Sequence, residues 1–328
     1  HVRSRRQRQM CIRDRSYTLA LELTILGYNS ALPTANSHPS AQVLNISERY
    51  FLIDCGEGTQ VQLRRARLKF SKINHVFITH MHGDHVFGLI GLLSSFQLLG
   101  REKPITVHGP KGIEEFITIQ MRLSGSYHGF PILFNELEGN ESKVIFEDDK
   151  VLVKTIPLDH RIYTNGYLFQ EKSKPRRLNP DAISEFDEIE VCDYQNLKNG
   201  RDFILKSGKI IPNSYLTFDA PQTYSYAYCS DTCYKPDIVP IIQNVDLLYH
   251  ESTFLHDLKD LADFTKHSTA KEAAMIAKAA NAKRLILGHF SNRYDDYSVF
   301  LKEAQPIFEA TELPETLKTI RIGPKGRR

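Results

Sequence analysis

The chain reads as an α/β (α+β) protein built from two β-sheets flanked by helices, and three observations carry that reading. Short runs rich in Val, Ile, Leu, Tyr and Phe recur from Tyr17 onward, separated by loops and a few stretches of helical period. A length of 328 residues with 41 % hydrophobic and 25 % charged content can bury a large core. Many of the apolar runs end in His, Asp or Glu, so residues distant in sequence can converge at strand ends.

In chain order the predicted strands are Leu19 to Leu26, Gln42 to Ile46, Tyr50 to Ile53, His75 to Thr79, Ile105 to His108, Val151 to Pro157, Tyr226 to Cys229, Leu247 to Tyr249 and Arg284 to Leu287. Of the predicted helices, Gly58 to Arg67 is amphipathic, Val86 to Leu99 is apolar enough to lie inside, and Lys111 to Met121 follows a turn at Gly109 and Pro110. The strongest helix signal is Thr269 to Ala280, where Thr269 and Glu272 form a capping box ahead of an Ala-rich run. Lys172 to Arg201 behaves differently. It is charged, contains Pro175 and Pro180, and lacks a fixed apolar period, which fits either a protruding insertion in the domain or a loose surface loop.

Residues 1–16 carry six Arg and one Asp without apolar period, so they read as a non-native or disordered tail, followed by a domain over 17–322 and a basic tail over 323–328. Without the first sixteen residues the formal balance falls from +3 to −2. Attraction to nucleic acid then depends on local patches, such as Arg64, Arg65, Arg67 and Lys69. The cysteines Cys11, Cys55, Cys192, Cys229 and Cys233 are odd in number and form no CxxC pair, which predicts reduced thiols and a cytoplasmic protein. No apolar run reaches the ~18 residues of a spanning helix.

The chemistry concentrates in Thr79, His80, Met81, His82, Gly83, Asp84 and His85, directly after an apolar run. Imidazole and carboxylate suit zinc, and four such groups within six residues suit two metals better than one. Gly83 allows a tight turn, so that His80 and His82 can face one metal, and Asp84 and His85 another. Other apolar runs end at His160, Asp231, His250 with Glu251, and His289. Asp54 follows Phe51 to Ile53 and could orient a ligand histidine through its second ring nitrogen. Thr79, Ser291, Arg293 and Tyr294 flank these positions and suit either phosphate contact or packing, whereas His38, His75, His108, His128 and His256 have no motif partner and read as structural.

His80 to His85 is the HxHxDH signature of the metallo-β-lactamase superfamily, and from about Leu21 to Arg321 the chain resembles its ribonuclease Z family. The matching landmarks are Asn29 to Pro33, Asp54 to Gln60, Gly109 to Gly112, Pro157 to His160, Ser230 to Thr232, His250 to Phe254, His267 to Thr269 and His289 to Tyr294. The resemblance implies an αββα sandwich with two zinc ions per subunit. One zinc would be held by His80, His82 and His160, the other by Asp84, His85 and His289, with Asp231 bridging. It further implies an endoribonuclease that removes the 3′ trailer of precursor tRNA, leaving a 3′-hydroxyl on the tRNA and a 5′-phosphate on the trailer. In that reaction a hydroxide activated by the two zinc ions attacks phosphorus, with Asp84 as base and His267, oriented by Glu251, as acid. His267 stands just before the predicted helix cap, where a phosphate is also favoured. The insertion corresponds to the family's RNA-gripping arm, with Lys174, Arg176 and Arg177 as RNA-binding candidates, and a homodimer is implied. Within the arm the family's usual Gly, Pro pair is missing, and Glu185, Asp187, Glu188, Glu190 and Asp193 make it locally acidic.

Two other functions share these residues. A phosphodiesterase for a small or cyclic nucleotide would use the same site but need no arm. A non-catalytic RNA-binding scaffold would have lost ligands, and all seven ligand positions are filled.

Overall fold

The computed structural model describes residues 21–34, 37–126 and 129–323, so residues 1–16, residues 324–328 of the basic tail, Cys11 and His128 lie outside it. Two compact units divide the chain. Residues 21–170 with Tyr224–Gly323 form the larger, and Glu171–Thr223 the smaller.

In the larger unit one sheet runs, in spatial order, Thr319–Ile322, Leu21–Gly27, Ala41–Ile46, Arg49–Ile53, Ile73–Phe77, Ile105–Pro110 and Ile132–Leu137. Its first four strands pair antiparallel, and the last four run parallel. The other runs Thr311–Glu312, Leu285–Gly288, Leu247–Glu251, Ser225–Cys229, Asn165–Glu171, Val151–Pro157 and Val144–Glu147. Alternation along each strand sorts its side chains between two layers. Phe77, Tyr226, Tyr228, Leu247 and Tyr249 enter the core between the sheets, with Leu23, Phe51 and Phe169. Their neighbours Val76 and Ile78 face the outer layer that holds Leu89, Leu92, Leu93 and Ile117, while Ala227 and Leu248 face Ala273, Ile276 and Ala277. Helices therefore cover the outside of both sheets, which is the αββα sandwich expected from the sequence.

Three strands with parallel partners, Ile73–Phe77, Ser225–Cys229 and Leu285–Gly288, and the antiparallel Val151–Pro157 carry the site, because their carboxyl ends open into the loops that hold the candidate ligands. Val86 to Leu99 is not one helix but two, Gly83–Val86 and Gly88–Leu98. Gly88 marks the break: its backbone N–H donates to the Cys55 carbonyl at 2.9 Å, and a Cβ there would lie 2.0 Å from the Gly56 carbonyl oxygen. That close approach pins the turn containing Asp84 and His85 against the loop after Ile53.

The insertion is a folded unit of its own and extends further than Lys172 to Arg201. Leu178, Ile183, Leu197, Ile211 and Leu216 share a core, and Arg177–Leu178 pairs with Thr217–Phe218, so residues up to Thr223 belong to it. Its helices, Pro180–Ser184, Tyr194–Lys198 and Asn213–Leu216, are too short to display a period in sequence. The acidic residues serve its turns. Glu190 and Asp193 form a capping box, Glu188 accepts from the Lys206 amide at 2.7 Å, and Glu185 accepts from the Tyr215 hydroxyl at 2.6 Å.

His75 and His108, read as structural, face each other at 3.2 Å between Nδ1 and Nε2, with His108 stacked on Phe77. Burial pushes His75 down to about 4 and His108 down to about 3. Both rings fold neutral while the unfolded chain takes up protons near pH 6.5, so their contribution is complete above that pH and declines as pH falls towards 4 and 3. At pH 5 the linkage relation gives roughly 2 kcal/mol for the more deeply buried ring. Urea unfolding of His108→Gln should accordingly lose less stability between pH 7.5 and pH 5 than the wild type does. Equal losses would contradict this account.

Candidate metal centre

Segments at four strand ends converge. His80 and His82 follow Ile73–Phe77, Asp84 and His85 lie in the Gly83–Val86 turn, and His160 follows Val151–Pro157. Asp231 follows Ser225–Cys229, and His289 follows Leu285–Gly288 with φ of 59°, a left-handed turn that aims its ring inward. Asp231 joins them. Its Oδ2 lies 3.6 Å from His80 Nε2 and 3.7 Å from His160 Nε2, while its Oδ1 lies 3.2 Å from both His85 Nε2 and His289 Nε2. His82 Nδ1 completes the first group, 3.0 Å from His80 Nε2 and 3.3 Å from His160 Nε2. Asp84 Oδ2 completes the second, 3.5 Å from the Nε2 atoms of His85 and His289.

The donor set fits a divalent pair. His85 Nε2 and His289 Nε2 are buried and have no hydrogen-bond partner, a costly state for a polar atom unless a cation takes its lone pair. Burial opposes a charge on His85, yet Asp231, Asp84 and Asp54 outweigh it and hold the ring's proton affinity well above the usual value. The field that favours a proton there favours a metal ion equally. Burial likewise opposes the Asp84 charge, but His85 and His289 hold that carboxyl well below the usual range.

Four of the ligand histidines, His80, His85, His160 and His289, are held through their other ring nitrogen, as metal-binding histidines require. His85 Nδ1 lies 2.7 Å from Asp54 Oδ2, and Asp54 also accepts from the Thr79 amide at 2.8 Å and the Tyr228 hydroxyl at 3.0 Å. Thr79 Oγ1 contacts Asp54 and His80 Nδ1. Thr79 is fully buried, so of its two expected roles it takes the packing one and cannot touch substrate. His160 Nδ1 donates to the Lys266 carbonyl at 2.8 Å, and His289 Nδ1 meets Thr253 Oγ1 at 3.0 Å.

His267 stands beside this cluster, just ahead of the helix Ala270–Ala279, whose capping box is Thr269 with Glu272. Its Nδ1 lies 2.8 Å from Glu251 Oε1, and Glu251 is held in turn by the Thr232 amide at 2.8 Å and the Thr253 hydroxyl at 2.7 Å. Burial opposes protonation of His267, but the Glu251 carboxylate raises it to about 9. An imidazole paired in this way through Nδ1 can act as a proton donor through Nε2. His267, Asp231 and His289 also lie close enough together to share a metal. The Glu251 contact favours the donor role.

Sequence reasoning missed Thr253 and the Lys266 carbonyl. Thr253 lies within the His250 to Phe254 landmark, and Lys266 adopts a left-handed φ of 61° that nothing in the sequence announces. Tyr294 and Arg293, read as either phosphate contacts or packing residues, make packing contacts: the Tyr294 hydroxyl accepts from the Leu255 amide, and Arg293 lies over Phe254. In the smaller unit Lys174 pairs with Glu171 at 2.9 Å, Arg176 with Asp219 at 2.8 Å, and Arg177 lies over Phe218. Arg64, Arg67 and Lys69 border a separate groove of about 840 Å³ with Arg101 and Lys103. The four cysteines among the described residues are free, and among those residues no helix is long and apolar enough to cross a membrane.

Comparison with known proteins places this arrangement among relatives. The chain is 48 % identical over 301 residues to a ribonuclease Z of Bacteroides thetaiotaomicron, covering 92 % of this chain and 95 % of the relative. It is 45 % identical to a ribonuclease Z of Bacteroides fragilis, covering 89 % and 96 %. The crystal structure of human tRNase Z, short form, superposes with a TM-score of 0.69 at 30 % identity, covering 92 % of this chain and all of that one. A protein-family model described as anti-Pycsar protein Apyc1 matches residues 21–116, which contain the HxHxDH segment but less than half of the chain.

Proposed function

Since the chain belongs to the ribonuclease Z family, we propose that it cuts precursor tRNA on the 3′ side, releasing the trailer with a 5′-phosphate and leaving a 3′-hydroxyl on the tRNA. The observation that carries this reading is Asp231, whose two oxygens face two separate ligand groups beside the His267–Glu251 pair. In this reading His80, His82 and His160 would hold one zinc ion, Asp84, His85 and His289 would hold a second, and Asp231 would serve both. When bound, such a pair lowers the pKa of a water and offsets the charge of a phosphodiester. Asp84 accepts the proton of the attacking water. His267 Nε2 donates to the departing 3′ oxygen, and Glu251 keeps that ring oriented and charged.

The smaller unit serves as the RNA-gripping arm. The ion pair of Arg176 is with a highly exposed Asp219 and is worth little in water, so a phosphate can replace it. Lys174 and Arg177 are the other cations of this grip. A cytoplasmic homodimer completes the proposal. Its support is the family resemblance. End-group analysis of the products tests the chemistry. A trailer degraded by a 5′-phosphate-dependent exonuclease and a tRNA that ligates through its 3′ end are expected. A 2′,3′-cyclic phosphate on the tRNA would mean attack by the ribose instead of water.

A further inference from the structure

Beyond His160 the larger unit contains a polar cleft of about 460 Å³ whose walls include Asn140, His160, Arg161, Tyr163, Thr164 and Lys235. It adjoins the candidate metal centre directly, since His160 belongs to both and Arg161 is its chain neighbour. The charge in this cleft is unbalanced. Its acid, Asp159, is already committed: Lys266 Nζ lies 3.1 Å from Oδ2, and Cys233 Sγ donates to the same oxygen at 3.0 Å. Among the described residues, neither the Arg161 nor the Lys235 side chain makes a hydrogen bond or ion pair. Among the described residues, other arginines are tied down, as Arg49 is to Asp148 and Asp149, and Arg284 to Glu312. Two free cations of different geometry on one concave wall make an anion site, with a planar fork suited to two phosphate oxygens and a mobile point charge beside it.

We propose that this cleft is a phosphate subsite, in which Arg161 and Lys235 hold a phosphodiester of the substrate strand next to the one being cut. The proposal rests on the endoribonuclease reading above and adds a specificity element to it. Gripping the neighbouring phosphate fixes the strand on both sides of the reacting bond, and it selects a polynucleotide over an isolated phosphodiester, which has no second charge to place. The neighbouring phosphate belongs either to the trailer or to the 3′ end of the tRNA, and both present the same chemistry.

The test compares wild type with the double variant Arg161→Gln/Lys235→Gln on three substrates: precursor tRNA with a long trailer, the same precursor with a one-nucleotide trailer bearing no further phosphate, and bis(p-nitrophenyl) phosphate. With the long precursor KM should rise roughly tenfold or more while kcat changes little, and the slope of log affinity against log salt should flatten by about 0.7, the single-strand value for one phosphate no longer neutralised. The reporter should show no such rise in KM, and bound metal should be retained. A defect confined to the long trailer assigns the subsite to the trailer; a defect with both precursors assigns it to the tRNA end. Unchanged KM and salt slope would overturn the proposal, as would a parallel loss of metal or of reporter hydrolysis, which would make the two residues part of the metal centre or the fold. A wild type that leaves every precursor intact would overturn the underlying reading, a result distinct from a variant that matches an active wild type.

Discussion

Asp231→Ala is expected to fold yet lose bound metal and RNA cleavage together. Each carboxylate oxygen of Asp231 faces a different group of imidazoles, at 3.6 and 3.7 Å on one side and 3.2 Å on the other, so one substitution withdraws a ligand from both positions. A site that needs about four ligands per metal and loses one from each should fall in activity by something on the order of 10⁴-fold or more. Metal analysis of the purified variant, beside a circular dichroism spectrum that reports its fold, checks this. A variant that keeps its full metal content and cleaves normally would remove Asp231 from the centre. His80→Ala acts on one group alone and serves as the comparison.

His267→Ala should separate chemistry from metal binding. Its Nδ1 is committed to Glu251, and its ring gains a proton from that pairing. Removing it should leave the metal in place and slow cleavage by roughly 10² to 10⁴, the usual worth of a positioned acid. The size of the effect depends on the leaving group. A substrate with a p-nitrophenolate, which departs without a proton, should be far less affected than RNA. If metal were lost with the ring, His267 would be a ligand, as its closeness to Asp231 and His289 permits.

The positions of these groups were legible in the sequence to different depths. His80 to His85 is contiguous, so its residue types alone announce a metal site. His160, Asp231 and His289 become readable because each ends an apolar run, and strand ends in such a fold gather at one edge. The capping box at Thr269 and Glu272 is a purely local signal and falls where the sequence puts it. What the sequence hides depends on backbone turns and on partners far along the chain. Lys266 offers a carbonyl, which every residue has, and only its left-handed turn aims it at His160. Arg161 and Lys235 are ordinary surface cations until folding leaves them in a cleft whose acid is already paired. Asn165–Glu171 and Ile132–Leu137 escaped as strands because Asn, Gly and Glu dilute their apolar pattern, although Tyr167 and Phe169 are wholly buried. The smaller unit was visible as an interruption, but its true extent follows from Ile211 and Leu216, whose core partners lie within the charged stretch itself.

Cleavage of a precursor tRNA, labelled at its 3′ end, by the purified protein before and after chelation tests the central claim most directly. The account predicts a single cut that frees the intact trailer, disappearance of that cut when the metal is stripped, and its return when zinc is restored. Cleavage that persists in metal-free protein, or metal-replete protein that leaves the precursor whole while hydrolysing a cyclic nucleotide, would contradict it.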